Sequence, residues 1–275
     1  MAAHSLPLFP QDDNPLPPRK RSADYCYSDS TPAKQEGLSA MLNLWFNVVR
    51  QSRINAQAKW TFRAEPVLLI DLFAGPGVDP FGNPGSPLIF IQEAERARID
   101  YRLMLFEDDP ETAAQLKQTV EPYRACASVY EVRNEFAADY VERSPYRNAI
   151  IYCDPSNADI PVGALLRLLQ KLPRADVLIN LACASYKRQV ALPGYEMLGD
   201  RLAKLGKEYW LIREPLHKHQ WVMLMGMNKV HINNWAGKRI FSMEDARGVA
   251  AWERAELTKA QWRAKYQGGL FDGNE

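Results

Sequence analysis

The chain is predicted to fold as an α/β domain, with a mostly parallel sheet, helices on both faces and an antiparallel hairpin at the end. Three observations predict it. Between Glu65 and Leu181, short apolar runs alternate with stretches of helical periodicity, the pattern of strands joined by crossover helices. A Gly-rich turn follows the first run. Two later runs, Glu208 to Arg213 and Trp221 to Met227, are separated by only seven residues. A parallel crossover needs a dozen or more, so this pair must be antiparallel.

In chain order, residues 1–35 carry five of the 19 prolines within the first 18 positions and no apolar period, which reads as an extended arm. Leu38, Met41, Leu42, Trp45, Phe46 and Val49 recur at spacings of three and four and predict an amphipathic helix over 37–58. Five strand runs follow: Val67 to Ile70, Leu103 to Phe106, Ser128 to Val132, Ala149 to Cys153 and Val177 to Leu181. Thr112 to Val120 and Val162 to Leu172 are helical intervals. With the hairpin the sheet has seven strands, its core spanning 65–230. Ser242 to Asp245 reads as an N-cap with an acidic first turn for a helix over 242–265. One domain therefore covers 36–265, and 266–275 forms a tail.

Composition excludes several classes. Hydrophobic residues are 47% and charged residues 24%, ordinary for a globular chain and unlike a disordered or fibrous one. No apolar run is long enough to span a membrane, and the start lacks a secretory pattern. The net charge of +1 gives no global pull on nucleic acid, so such a partner must meet a local patch. From Arg213 to Gln267 basic residues outnumber acidic ones, with Trp235, Trp252 and Trp262 interleaved; the two last read as core. The four cysteines form no CxxC pair and suit reduced thiols in a cytoplasmic protein. No metal site is expected, since His217 and His219 lack further ligands nearby.

The run Val67 to Gly77, VLLIDLFAGPG, is a buried strand ending on the carboxylate Asp71 and entering a tight turn. Such a turn, at the carboxyl end of a first parallel strand, is where open α/β sheets bind ligands. It is neither GxGxxG nor GxxxxGK[ST], so dinucleotide redox chemistry and phosphate cradling are disfavoured. Glu107 closes the second strand and is placed to accept hydrogen bonds from ribose hydroxyls. Asp108 or Asp109 is expected to cap the helix begun by Pro110.

These residues together resemble class I S-adenosylmethionine-dependent methyltransferases over about Val67 to Asn228. Asp71 to Gly77 followed by Gly85-Ser86-Pro87-Leu88 is similar to a narrower group, the three-Cys-motif partner proteins. The resemblance implies S-adenosylmethionine as cofactor. It puts the turn Phe73, Ala74, Gly75 and Gly77 under the methionine portion, Asp71 near its amino group, Glu107 on the ribose, Asp108 near the adenine and Asn134 facing the adenine amine. Asn134 reads equally well as a turn former. It also implies an acceptor site at Asp154-Pro155-Ser156-Asn157, where amino-methylating nucleic-acid enzymes carry an acid or amide, two prolines and an aromatic. Here serine and Asn157 replace the second proline and the aromatic. Tyr152 or Tyr186 would then have to stack a flipped base. Asn180 and the Ser185 to Arg188 loop are expected on the same edge.

The function expected is methyl transfer to DNA, RNA or a nucleic-acid-associated substrate. The rival is a non-catalytic module of the same fold that holds a radical-type partner or a sliding clamp, in DNA repair or phage and defence processes. Gln267-Gly268-Gly269-Leu270-Phe271 fits Q-x-x-L-F, similar to clamp-docking peptides, and Ser5 to Phe9 is close to it. The loop Val78 to Gly85 reads either as a lid or as a rigid turn.

Overall fold

A computed structural model describes residues 31–57, 65–144, 148–155, 159–190, 194, 196–214, 221–228, 236–257 and 261. In chain order the elements are α1 (Thr31–Gln57), β1 (Val67–Asp71), α2 (Ser86–Ala97), β2 (Tyr101–Glu107), α3 (Pro110–Val120), β3 (Ala127–Glu131) and β4 (Ala149–Cys153). There follow α4 (Val162–Lys171), β5 (Asp176–Ala182), α5 (Cys183–Val190), α6 (Leu198–Ala203), β6 (Tyr209–Arg213), β7 (Trp221–Met227), β8 (Ile240–Ser242) and α7 (Ala246–Glu256). They form one sheet in the order β3-β2-β1-β4-β5-β7-β6-β8.

Strands β1 to β5 pair in parallel. The order reverses direction between β1 and β4, which opens a crevice at their carboxyl ends. The expected hairpin is present: β7 runs antiparallel to both β6 and β5, entering the sheet between them.

Both faces of the central strands are covered, so they read as continuous apolar runs rather than alternating ones. Alternation survives in which layer each residue joins. Val67 and Leu69 pack with Leu38, Met41, Leu42, Trp45 and Phe46 of α1 and with Phe90 of α2. Leu68 and Ile70 belong to the opposite layer, which also holds Leu165 and Leu168 of α4, Leu202 of α6 and Ala251 of α7.

Four expectations need correction. Helix α1 begins at Thr31 rather than 37, so its first turn lies in the stretch expected as arm. The sheet has an eighth strand, β8, paired antiparallel to β6, and Ser242 is its last residue rather than a helix cap. Asp245 caps α7 instead, its side chain accepting from the Arg247 N–H at 2.8 Å. Ser185 to Arg188 belong to α5, not to a loop. Cys153 and Cys183 are buried free thiols and Cys126 is half-buried. Among the described residues no helix is long and apolar enough to cross a membrane, and no cluster could hold a metal ion.

A candidate active site at the carboxyl edge of the sheet

The backbone leaving β1 is stitched to both neighbouring strands. The Leu72 N–H donates to the Tyr152 carbonyl of β4 at 3.1 Å, and the Ala74 N–H to the Phe106 carbonyl of β2 at 3.1 Å. The Gly75 N–H then donates to Glu107 Oε2 at 3.0 Å. The turn is thereby pinned to the tip of β2. Gly75 and Gly77 both adopt positive φ, 61° and 84°, a region L side chains avoid. A Cβ on Gly75 would meet nothing within 4 Å, whereas one on Gly77 would lie 2.8 Å from Thr119 Cγ2 of α3. One glycine leaves open space above the turn and the other lets α3 pack beneath it. Phe73 is half-buried against the core and Ala74 is buried.

Asp71 is wholly buried at the start of this turn. Its Oδ1 accepts the Phe73 N–H at 3.1 Å, and its Oδ2 has no partner. Burial pushes its carboxyl up to about 7; Ser86 and the Phe73 amide act in the opposite sense, and Asp154 and Glu107 add to the rise. These carboxylates stand at the carboxyl ends of β1, β4 and β2. Glu107 is also raised, chiefly by burial, while the Asp109 and Gly75 amides favour its charged form. Its Oε1 accepts the Asp109 N–H at 3.0 Å. Asp109 is the helix cap, accepting from the Thr112 N–H at 2.9 Å and its hydroxyl at 2.7 Å. Asp108 is exposed beside it, and Asn134 heads a short 3-10 helix beyond β3, half-buried.

The loop from Val78 to Gly85 is closed on itself by hydrogen bonds. Asp79 Oδ1 accepts from the Phe81 and Asn83 N–H groups at 2.9 and 2.8 Å, and its Oδ2 from Asn83 Nδ2 at 2.8 Å. Val78 bridges to Pro84, and the Gly85 N–H closes on the Gly77 carbonyl at 2.7 Å. The turn presents Phe81 at its tip, 72% exposed.

At the exit of β4, Asp154 sits beside buried Pro155. Its Oδ1 accepts from Asn180 Nδ2 of β5 at 2.8 Å and its Oδ2 from the Tyr152 hydroxyl at 3.2 Å. Oδ2 also pairs with Lys34 Nζ, from the first turn of α1. Burial raises Tyr152 well above the ordinary phenol range, with the Asp154 charge next, so it remains a donor. Neither tyrosine can stack a base. Tyr152 is 1% exposed and Tyr186 fully buried, the latter accepting the Leu198 N–H at 2.7 Å. This overturns the expectation that one of them supplies the platform.

The structure thus brings Asp71, Gly75, Gly77, Glu107 and Asp154 to one edge. Asn157 and the clamp-like residues Gln267, Leu270 and Phe271 lie outside the described residues, as do Trp235, Trp262, His217 and His219. Lys34 was not foreseen, and no local pattern marks it. Asn180 carried a signal, being a polar residue inside an apolar strand run.

No family model and no curated protein matches the chain. Solved structures resemble it at low identity. Protein LPL1258 from Legionella pneumophila is 12% identical, with a TM-score of 0.50, over 71% of this chain and 86% of that one. The Methanococcus jannaschii fibrillarin pre-rRNA processing protein is 15% identical, with a TM-score of 0.43, over 60% and 67%. A Streptococcus mutans protein in complex with SAH is 14% identical, with a TM-score of 0.39, over 60% and 90%. With its strand order and its antiparallel β7 between β5 and β6, the chain has a Rossmann-like α/β fold, mostly parallel with antiparallel strands at its C-terminal side.

Proposed function

We propose that this protein is an S-adenosylmethionine-dependent methyltransferase whose acceptor is an amine of nucleic acid or of a nucleic-acid-associated substrate. The observation that carries the reading is the turn at the switch point, with positive-φ Gly75 open above and pinned to Glu107. The residues present fit the cofactor. Asp71 offers a buried oxygen with no partner, suited to an ammonium directly or through water. The Glu107 carboxylate accepts hydrogen bonds from two backbone N–H groups, which leaves lone pairs for ribose hydroxyls. Gly75 and Gly77 would hold the methionine portion, with Asp108 and Asn134 flanking the adenine. Bound S-adenosylmethionine would supply an electrophilic methyl group, and Asp154 would orient the acceptor nitrogen toward it.

The first test is thermal unfolding with and without S-adenosylmethionine. At about 100 times its dissociation constant a ligand stabilises by roughly 2.7 kcal/mol, several degrees for a chain of this size. Wild type should show that rise, and Gly75→Val and Glu107→Ala should lose it. A folded wild type with no rise would refute the cofactor reading. Isotope transfer from labelled cofactor into DNA, RNA and protein fractions then identifies the acceptor class.

The departure at Ser156-Asn157 favours one rival, a module of this fold that docks a partner without chemistry. The narrower likeness to three-Cys-motif partner proteins points to a radical-type partner, and the terminal Q-x-x-L-F to a sliding clamp. If cellular function survives Asp154→Ala but not loss of 266–275, the module reading replaces the enzymatic one.

A further inference from the structure

The carboxyl edge of the sheet continues beyond the site described above. Strand β7 runs antiparallel to both β5 and β6, so β6 ends on the same edge as β5. Glu214, the residue after β6, is three strand spacings from the exit of β4, on the order of 15 Å at about 4.8 Å per strand. Its side chain is 12% exposed and takes three guanidinium groups. Arg239 Nη2 meets Oε2 at 3.0 Å, Arg247 Nη2 meets Oε2 at 3.4 Å and Arg254 Nη1 meets Oε1 at 3.1 Å. The arginines are the more open to solvent, at 39%, 59% and 62%. Lys187 of α5 joins them, its Nζ donating to the Arg254 carbonyl. Four cations therefore stand around one carboxylate, a net charge of +3 among these groups. Two other acids at α7 are engaged elsewhere: Asp245 caps the helix, and Glu256 accepts from Trp252 Nε1 at 3.0 Å.

Fold stability does not call for this arrangement. Exposed ion pairs contribute little, like charges brought together repel, and one arginine would satisfy Glu214. The cations are nonetheless held in place. Arg247 lies over the Phe241 ring, 4.2 Å from its centroid. Arg239 sits at φ 58°, and its carbonyl accepts the Glu214 N–H at 2.9 Å. Cations set in advance lose less freedom on meeting an anion, and a guanidinium carries five N–H donors, so three of them exceed what one carboxylate can absorb.

We propose that Arg239, Arg247, Arg254 and Lys187 form a surface that grips the phosphodiester backbone of a nucleic acid, apart from the cofactor turn and from Asp154. Guanidinium forks match phosphate oxygens in pairs. Arg247 and Arg254 are seven residues apart on α7, about 10 Å along its axis. The charges thus form a row, which meets a repeating polyanion better than a single small anion. Such contacts fix position and carry no sequence information. They also give a use to the excess of basic residues after Arg213. The choice of nucleic acid rests on the acceptor class proposed above, whereas the grip itself requires neither cofactor nor methyl transfer.

The test is fluorescence anisotropy of a labelled 20-residue oligothymidylate with the full chain, without cofactor, from 50 to 300 mM KCl. Thymine has no exocyclic amine, so the probe reads backbone binding alone. For wild type the logarithm of affinity should fall against the logarithm of salt with a slope of about −3, four contacts at about 0.7 each. Arg247→Ala with Arg254→Ala should weaken binding about tenfold at 50 mM and make the slope shallower by about 1.4. Arg247→Lys with Arg254→Lys keeps the charges and should keep the slope. Lys117→Ala with Arg124→Ala removes the same charge from α3 and the turn after it, and should leave affinity within about twofold. In wild type, oligothymidylate should protect Arg247 and Arg254 from phenylglyoxal, mapped by peptide mass, and leave Arg124 reactive; this arm needs no variant to fold. No binding at 50 mM, equal losses in the two alanine pairs, or no protection would each overturn the assignment. Displacement by poly-L-glutamate as effective as by unlabelled oligothymidylate would overturn it in favour of an acidic protein partner. The cofactor reading fails separately, through the absence of a thermal shift with S-adenosylmethionine.

Discussion

Replacing Asp71 with asparagine tests whether the buried carboxylate is kept for binding at the expense of stability. Asp71 is wholly enclosed, one oxygen lacks a partner, and burial raises its carboxyl from 3.8 to about 7. The folded protein therefore holds this proton more tightly than the unfolded chain does. Below about 4 both states carry it and the group is neutral in its effect. Between about 4 and 7 the unfolded chain ionises while the folded one stays protonated, so stability falls as pH rises. Above about 7 the loss is complete. At about 1.4 kcal/mol per pKa unit it amounts to roughly 4 kcal/mol. Asp71→Asn has the same shape and no charge to bury. Relative to wild type it should gain about 3 kcal/mol between pH 5 and pH 8, read by urea unfolding through tryptophan fluorescence. The same variant should lose the thermal shift with S-adenosylmethionine, since a neutral amide cannot pair with an ammonium. Parallel stability curves for the two proteins would refute the burial argument. A retained ligand shift would refute the role given to the charge.

Other substitutions check the packing around the site. Trp45→Phe removes the indole donor to Asp176, whose carboxyl burial has raised to about 6. It should cost about 2 kcal/mol, with the loss larger at pH 8 than at pH 5 because only the charged form misses its donor; equal losses at both would count against it. Gly248→Ala places a Cβ 1.9 Å from the Ser242 carbonyl oxygen, so the α7 and β8 backbones must separate. About 3 kcal/mol and several degrees in Tm should be lost, and a melt within one degree of wild type would contradict the geometry. Thr119→Val removes the hydroxyl that donates to the Pro76 carbonyl at 2.9 Å. It should weaken S-adenosylhomocysteine binding severalfold in calorimetry with a fall of only about 1 kcal/mol in stability, whereas unchanged affinity would show that the turn holds its shape without that contact.

How much of this was legible depends on whether a feature is local. The strands β1, β2 and β4 could be read because each is a contiguous apolar run ending at a carboxylate, and β5 because its apolar run is broken only by Asn180. Asp71 and Glu107 could be read because a carboxylate at the end of such a run must lie at the sheet edge. Strand β8 could not: Ile240, Phe241 and Ser242 are too few to form a pattern, and the pairing with β6 that makes them a strand is tertiary. Ser242 followed by two acids looked like a cap because cap chemistry is also local, and the sheet overrode it. Tyr152 and Tyr186 show a different limit. A tyrosine in an apolar run can face a core layer or a ligand, and sequence spacing does not choose between them. Here each hydroxyl is consumed inside the fold, one by Asp154 and the other by the Leu198 amide.

The hardest part to foresee was the polar cluster of Lys34, Asp154 and Asn180, because its members come from α1, the exit of β4 and β5 and are far apart in the chain. Nothing near Lys34 marks it; prolines upstream suggest an arm, and the helix begins earlier than its apolar period does. What brings Lys34 to Asp154 is the packing of Leu38, Met41, Leu42 and Trp45 against β1 and its neighbours, which fixes the register of the whole helix. Gly37 is part of that fit, since a Cβ there would lie 2.7 Å from Arg213 Nη1. An apolar surface therefore decides where a charge goes. The same logic explains why the β4 motif could depart from the aromatic pattern at Asn157 without emptying the site of polar groups. Side-chain oxygens at this edge come from Asp154 and Asn180, and the cation paired with Asp154 comes from a helix outside the strand motifs.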